Sequence, residues 1–281
     1  MQRVHILTDS AAHIPAALCK ELDIHIVALP YTWDGTPYDD FTLEPGAFYS
    51  RLRASATVPT TSGPAPGTFK DHFETLGKDG HPVLAIVVGG QFSGTLDSAL
   101  IAKEMTPGVD VTVYDSKQIT MGQGFQVLAA ARAAMEGKAL QAILLLLNRM
   151  RGACGVLYAT PHIQYLLRGG RLNHLQAFLA SGLHIIPLLE TNGGPIKALE
   201  RVRGRMQVIP HMLALAAERL RRLRPIRMAV VHADAEAQAR ELAEAARREF
   251  APDEMLVSEA TPVLGIHGGP DAMALAFSSG I

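Results

Sequence analysis

Residues 86–98, Ile-Val-Val-Gly-Gly-Gln-Phe-Ser-Gly-Thr-Leu-Asp-Ser, constrain this chain more than any other stretch. A short apolar run ends in two glycines, and Ser93-Gly94-Thr95 follows where a helix can begin. The pattern predicts a strand, a tight turn and a helix N-terminus. Such a turn offers backbone N–H groups, with the Ser93 and Thr95 hydroxyls, at the positive end of a helix dipole, a setting that binds an anion. Gly89 and Gly94 imitate part of a phosphate-binding loop, but the lysine that would reach a β/γ-phosphate is missing. A carboxylate or a single phosphate is therefore the expected guest, and an ordinary strand-to-helix turn would leave the same pattern.

The flanking sequence sets that turn in a repeating frame. Val4–Leu7, Ile24–Leu29, Val83–Val88 and Val109–Tyr114 read as strands. Helical spacing covers 14–22, Glu44–Ala54, a segment from about Thr68, another after Ser93, and 123–136 and 139–150. This alternation predicts a parallel α/β sheet, and such sheets bind ligands at the carboxyl ends of their strands. Asp9-Ser10, Ser93-Gly94 and Asp115-Ser116 fall at those ends. Residues 60–67 carry two prolines and two glycines and predict an irregular polar loop.

Beyond residue 152 the texture changes. A strand is expected at Gly155–Thr160, a helix stopping at Arg168-Gly169-Gly170-Arg171, and a second helix over 174–181. Leu183–Leu189 and Pro195–Arg203 flank Thr191-Asn192-Gly193-Gly194, a hairpin signal. A long helix from about Met206 to Leu223, a strand–helix–strand run over 227–258, a glycine-rich loop at 265–270 and a closing strand over Ala272–Phe277 complete the chain. The predicted architecture is α/β in two domains: an N-terminal parallel-sheet domain, 1–152, and a C-terminal α+β domain, 153–281, packed around a cleft.

Composition removes several classes of function. A formal net charge of −1 argues against a broad nucleic-acid footprint. Cys19 and Cys154 are far apart and match no metal spacing, as expected for reduced thiols. The start Met-Gln-Arg-Val-His-Ile-Leu-Thr-Asp-Ser turns polar too soon for a signal peptide, and Ala139–Leu147 is too short to span a bilayer. A cytoplasmic protein without integral membrane association is expected. Eleven histidines include no His-Glu-x-x-His or paired spacing, so no metal site is predicted.

Several segments admit a bland and a functional reading. Thr61 and Ser62 lie in a loop stiffened by Pro64 and Pro66, where hydroxyls often serve only as caps. His267 is surrounded by glycines that let something approach its ring, although a lone histidine is commonly structural. Arg168 and Arg171 fit either a cleft guanidinium or a basic helix end. The arginines from Arg201 to Arg227 fit a solvated face or a dock for an acidic protein.

In order along the chain stand Thr8-Asp9-Ser10, Thr61-Ser62-Gly63-Pro64-Ala65-Pro66-Gly67, Phe92-Ser93-Gly94-Thr95 and Asp115-Ser116-Lys117. Tyr165–Arg171, Pro187-Leu188-Leu189 and His267-Gly268-Gly269-Pro270 follow. Together these motifs resemble the DegV family of bacterial fatty-acid-binding proteins, whose members include the acyl carriers of fatty acid kinase. The resemblance implies a long-chain fatty acid such as palmitate in a tunnel between two domains. It places Thr61, Ser62, Ser93 and Gly94 on the carboxylate, His267 close by and Arg171 at the cleft. It implies a non-catalytic role in lipid transport or fatty acid metabolism, no cofactor or metal, and a fatty acid kinase subunit as partner.

The energetics agree with that implication. An acyl chain gains about 0.8 kcal/mol per buried CH₂, so a dry tunnel must carry the affinity. Its carboxylate must then be well hydrogen-bonded, which hydroxyls and helix-start N–H groups can do. Phe92, Met121 and Phe125 fit tunnel wall or plain core. The chain departs from the family pattern at Gly63 and Ala65, in place of glutamine and serine. It departs again at Gly268, in place of threonine, and at Asp271, in place of glycine; Asp271 is expected to add negative charge near the head-group. The alternative is a serine hydrolase using Ser93, His267 and Asp9 or Asp115, but Gln91 and Thr95 stand where a nucleophile elbow has glycines.

Overall fold

A computed structural model of the chain describes residues 3–170, 175, 178, 185–220 and 223–281. The first half alternates as its apolar runs demand. It begins with β1 (His5–Asp9), α1 (Ala16–Glu21) and β2 (Ile24–Val27), then a hairpin of β3 (Pro30–Trp33) and β4 (Thr36–Asp39). Next come α2 (Pro45–Ala54), the two-residue β5 (Thr60–Thr61), α3 (Pro66–Leu76), β6 (Val83–Val87) and α4 (Thr95–Glu104). The half closes with β7 (Val111–Asp115), α5 (Met121–Met135) and α6 (Leu140–Met150). The second half runs β8 (Cys154–Ala159), α7 (Ile163–Arg168), β9 (Ile185–Thr191), β10 (Lys197–Arg203), α8 (Val208–Arg219) and β11 (Ile226–His232). It ends with α9 (Glu236–Phe250), β12 (Glu254–Glu259), α10 (Pro262–Gly268) and β13 (Met273–Ser279).

The four strands β2-β1-β6-β7 form an all-parallel sheet, with Ile6 paired to Ile24 on one side and Leu84 on the other. From β1 the chain goes first to one neighbour and later to the other, so the strand order reverses between β1 and β6. In open α/β sheets that reversal opens a crevice beyond the strands' carboxyl ends. A second sheet, β10-β9-β8-β13-β11-β12, is mixed, with only β11 and β12 parallel. The fold is thus mixed α/β, with a parallel sheet and a separate second sheet, as the alternation and the 191–194 turn predict.

Helix α5 lies between the two sheets and packs on β1 and β6 of one and β8, β11 and β13 of the other. Eleven of its fifteen residues are buried, as expected for a helix sandwiched between two layers, and its carboxyl-terminal end reaches solvent at Met135. The amide nitrogens of its buried glutamines find acceptors: Gln123 Nε2 donates to Thr8 Oγ1 at 3.0 Å and Gln126 Nε2 to the Ser116 carbonyl at 3.0 Å. One hydrophobic cluster therefore joins β1, α2, α5, α10 and β13 across both halves. Helices α3 and α4 cover the outer face of the parallel sheet, and α8 and α9 the outer face of the mixed one.

Three local elements differ from the sequence expectation. The turn-rich segment around Trp33 is a hairpin, with Asp34 at φ +50° and Gly35 at φ +78°, and it buries Trp33 completely. Asp-Gly is a strong hairpin turn signal. Helix α3 begins at Pro66 rather than Thr68, because proline's fixed φ suits the first helical turn. Residues 262–268 form helix α10 instead of a glycine loop. Expectations for 174–181 fall almost wholly outside the described residues.

Candidate functional site

The site forms where the β6–α4 turn, the Thr61 loop and α10 meet. Strand β6 ends at Val87, and Gly94 caps α4 with backbone rather than side chain. Ser93 Oγ lies 2.8 Å from Thr95 Oγ1 and accepts the Thr95 N–H at 3.3 Å, so buried Thr95 orients the serine rather than meeting a ligand. Thr61 is held as an edge strand by Tyr31, and Ser62 N donates to the Pro30 carbonyl at 3.4 Å. A Cβ on Gly63 would lie 3.2 Å from the Gly94 carbonyl carbon and 3.3 Å from Thr95 N. The two hydroxyl-bearing bends therefore touch, and the family's glutamine at this position would need them to part slightly here.

His267 is on the last turn of α10, and its Nε2 is 2.8 Å from Thr61 Oγ1. A buried polar network fixes this helix to β1. Ser10 Oγ donates to Asp40 Oδ2 at 2.5 Å, the Val263 N–H donates to Asp40 Oδ1 at 2.7 Å, and His13 Nε2 is 3.1 Å from Thr261 Oγ1. Asp9 accepts the Val88 N–H at 2.7 Å and the Ala11 N–H at 3.0 Å. Burial pushes the Asp9 and Asp40 carboxyls up to about 6, against these hydrogen bonds. Burial also lowers His13 to about 4.

Thr61, Ser62, Ser93, Gly94 and His267 all line one small cavity of about 70 Å³. Ser62 and Gly94 are its exposed members. It shares Phe92, Ile119, Leu264 and His267 with a second cavity of about 120 Å³. The second cavity is walled by Val156, Leu166, Leu189, Ile196, Leu264 and Ala274. A polar mouth thus opens onto an apolar slot between α10 and the mixed sheet. Met121 and Phe125 are fully buried in α5 and line neither cavity, whereas Phe92 lines both.

Two residues of the slot were not singled out by sequence. Thr120 has φ +50° and ψ −145°, a costly conformation for a β-branched residue, and its buried hydroxyl has no hydrogen-bond partner among the described residues. No short-range pattern marks it. Tyr158 stands over Gly268, where an added Cβ would fall 2.3 Å from the phenol oxygen. The phenol thus fills the space that the family's threonine would need, which accounts for that departure. Arg171 lies outside the described residues.

Asp271 differs from its expectation. Arg53, Arg205 and His162 surround its carboxylate at 3.0, 3.2 and 3.2 Å, and although burial works strongly against them, these partners hold it below the usual carboxylate range. It lines a different groove, with Arg205 and Met206, and its charge is compensated there. Asp271→Asn, which tolerates the observed φ of +61°, should change fatty-acid affinity by less than about threefold, measured by displacement of a fluorescent acid.

The residues of the hydrolase reading have the following contacts. His267 Nε2 faces Thr61, Asp9 is engaged by backbone N–H groups, and Asp115 pairs with Lys117 at 2.7 Å. Among the described residues no helix is long and apolar enough to cross a membrane.

The polar mouth, the apolar slot and the doubly covered pair of sheets define a family. Residues 3–280 match the family model described as "Uncharacterised protein, DegV family", and the chain belongs to the DegV family. It is 33% identical over 282 residues to a DegV domain-containing protein of Caldanaerobacter subterraneus subsp. tengcongensis, covering 99% of each chain. A DegV family protein of Thermus thermophilus, whose structure is described by its fatty acid binding, superposes with a TM-score of 0.92 at 30% identity, covering 99% of each chain. DegV of Bacillus subtilis, described as a fatty acid binding protein, superposes at 0.89 with 29% identity over 99% of this chain and 100% of that one.

Proposed function

We propose that this chain is a non-catalytic, cytoplasmic carrier of a long-chain fatty acid, built from halves 1–152 and 153–281 that enclose the ligand. The carboxylate sits against Thr61, Ser62, Ser93 and the α4 start at Gly94, with His267 beside it. The tail runs past Phe92, Ile119 and Leu264 into the slot between α10 and the mixed sheet. One observation carries this reading: five residues from three distant segments line one small cavity that continues into an apolar one. No counter-ion is needed if the hydroxyls and helix-start N–H groups hold the charge, each hydrogen bond to it contributing about 1.5–3 kcal/mol. Solvent access at Ser62 and Gly94 fits presentation of the carboxylate to an acyl-phosphate-forming kinase.

Organic extraction of the purified, untagged protein followed by mass spectrometry tests the proposal. One long-chain acid per chain is expected, and delipidated protein should take up palmitate. No extracted acid and no uptake would sink the reading. Ser93→Ala should weaken palmitate binding by roughly ten- to a hundredfold, in line with a lost hydrogen bond to a charge, without altering thermal stability much.

A further inference from the structure

A second constellation lies at the opposite, amino-terminal edge of the parallel sheet, a strand's length of roughly 15 Å from the site above. His5 opens β1, His25 lies in β2 and Asp23 immediately precedes β2. The parallel register pairs Leu7 with His25. Because side chains alternate along a strand, His5, Leu7 and His25 share one face of the sheet, and Asp23 adjoins it from the turn before β2. One donor atom from each of His5, Asp23 and His25 lies within 4.8 Å of the others.

His5 carries the independent observation. It is 7% exposed, and its Nε2 is 2.8 Å from Asp79 Oδ2. A carboxylate only accepts, so Nε2 bears a proton in this bond, and in the neutral tautomer that donates from Nε2 the Nδ1 carries a bare lone pair. That Nδ1 is buried and has no hydrogen-bond partner among the described residues. An imidazole whose one nitrogen donates to a carboxylate while the other is left open is the arrangement by which proteins orient a metal-binding histidine.

We propose that His5 Nδ1, His25 and Asp23 bind a divalent transition-metal ion of the zinc class, with Asp79 orienting His5. Two imidazoles and one carboxylate leave a fourth tetrahedral position for water. Metal–ligand bonds of about 2.1 Å would set the donors about 3.4 Å apart, so they close by about an ångström on binding. The same donors suit Fe²⁺, but such ligands hold Zn²⁺ more tightly than Fe²⁺. Arg3 opposes the ion, since its guanidinium is hydrogen-bonded to Asp23.

The test uses untagged protein, freed of metal with a chelator and titrated with Co²⁺. One equivalent should produce the intense visible absorption of tetrahedral Co²⁺, and Zn²⁺ should displace it. His25→Gln and Asp23→Asn, both at solvent-accessible positions, should abolish the band. Asp79→Asn should weaken binding by about 10–100-fold. Arg3→Gln should tighten it, an outcome that a merely structural role for these residues would not give. Fatty-acid binding should be unchanged throughout. The proposal is overturned if the wild-type protein gives no such band, or if His25→Gln and Asp23→Asn retain it.

Discussion

Ala274→Leu is expected to cut palmitate affinity by roughly 50-fold while leaving the protein folded. Ala274 is 2% exposed on β13 and lines the apolar slot beside Val156 and Leu264. Leucine places three more carbons where about three methylenes of a tail would lie. At about 0.8 kcal/mol per methylene the displaced contacts amount to about 2.4 kcal/mol. The substitution fills space rather than opening it, so the melting temperature should not fall sharply. A matched series of acids separates this from a head-group effect: decanoate, which reaches less far into the slot, should lose less than palmitate. Equal losses for both acids, or undiminished palmitate binding, would place the tail elsewhere.

The second large effect is a pH-dependent one at Asp40. Its carboxyl is raised by burial from 3.8 to about 6 in the folded chain. A group raised on folding takes up a proton as the chain folds, so its stabilisation is complete below the unfolded value and is lost as pH rises through the folded value. Relative to a side chain that does not titrate, Asp40 therefore favours the fold more at pH 4 than at pH 7, by on the order of 2 kcal/mol. Asp40→Asn should accordingly cost more stability at pH 4 than at pH 7, as read from urea unfolding at the two values. A cost that is constant or larger at pH 7 would show that the carboxyl is not raised. Asp40 also binds both Ser10 and the start of α10, so the same variant should loosen His267 and weaken fatty-acid binding.

The sequence made the parallel half legible because its strands are short apolar runs with turn residues at each carboxyl end. The Ser93-Gly94 turn was visible for the same reason: glycine, hydroxyl and helix start lie within a few residues. The hairpin around Asp34-Gly35 and helix α10 had local signals too, the Asp-Gly pair and the Thr261-Pro262 start, but glycine density around His267 argued for a loop. What short-range pattern does not contain is convergence. Thr61 meets His267 across 206 positions, and His5 meets His25 only because β1 and β2 are neighbours in register. Nor does it reveal that Thr120, just before α5, takes a positive-φ backbone. The compensation of Asp271 by Arg53 and Arg205 is likewise tertiary, so its charge looked free in one dimension.

The position of α5 limits how anything can enter or leave the slot. A helix with eleven of its fifteen residues buried and gripped by both sheets cannot be stripped from either without exposing much of the principal core. Two lobes that share such a layer do not swing apart like jaws; heat should melt them in one transition. On the proposed binding mode, entry and exit then require α10, a seven-residue helix bearing His267 at its end, to loosen its hold on Asp40 and the core, because it borders both cavities.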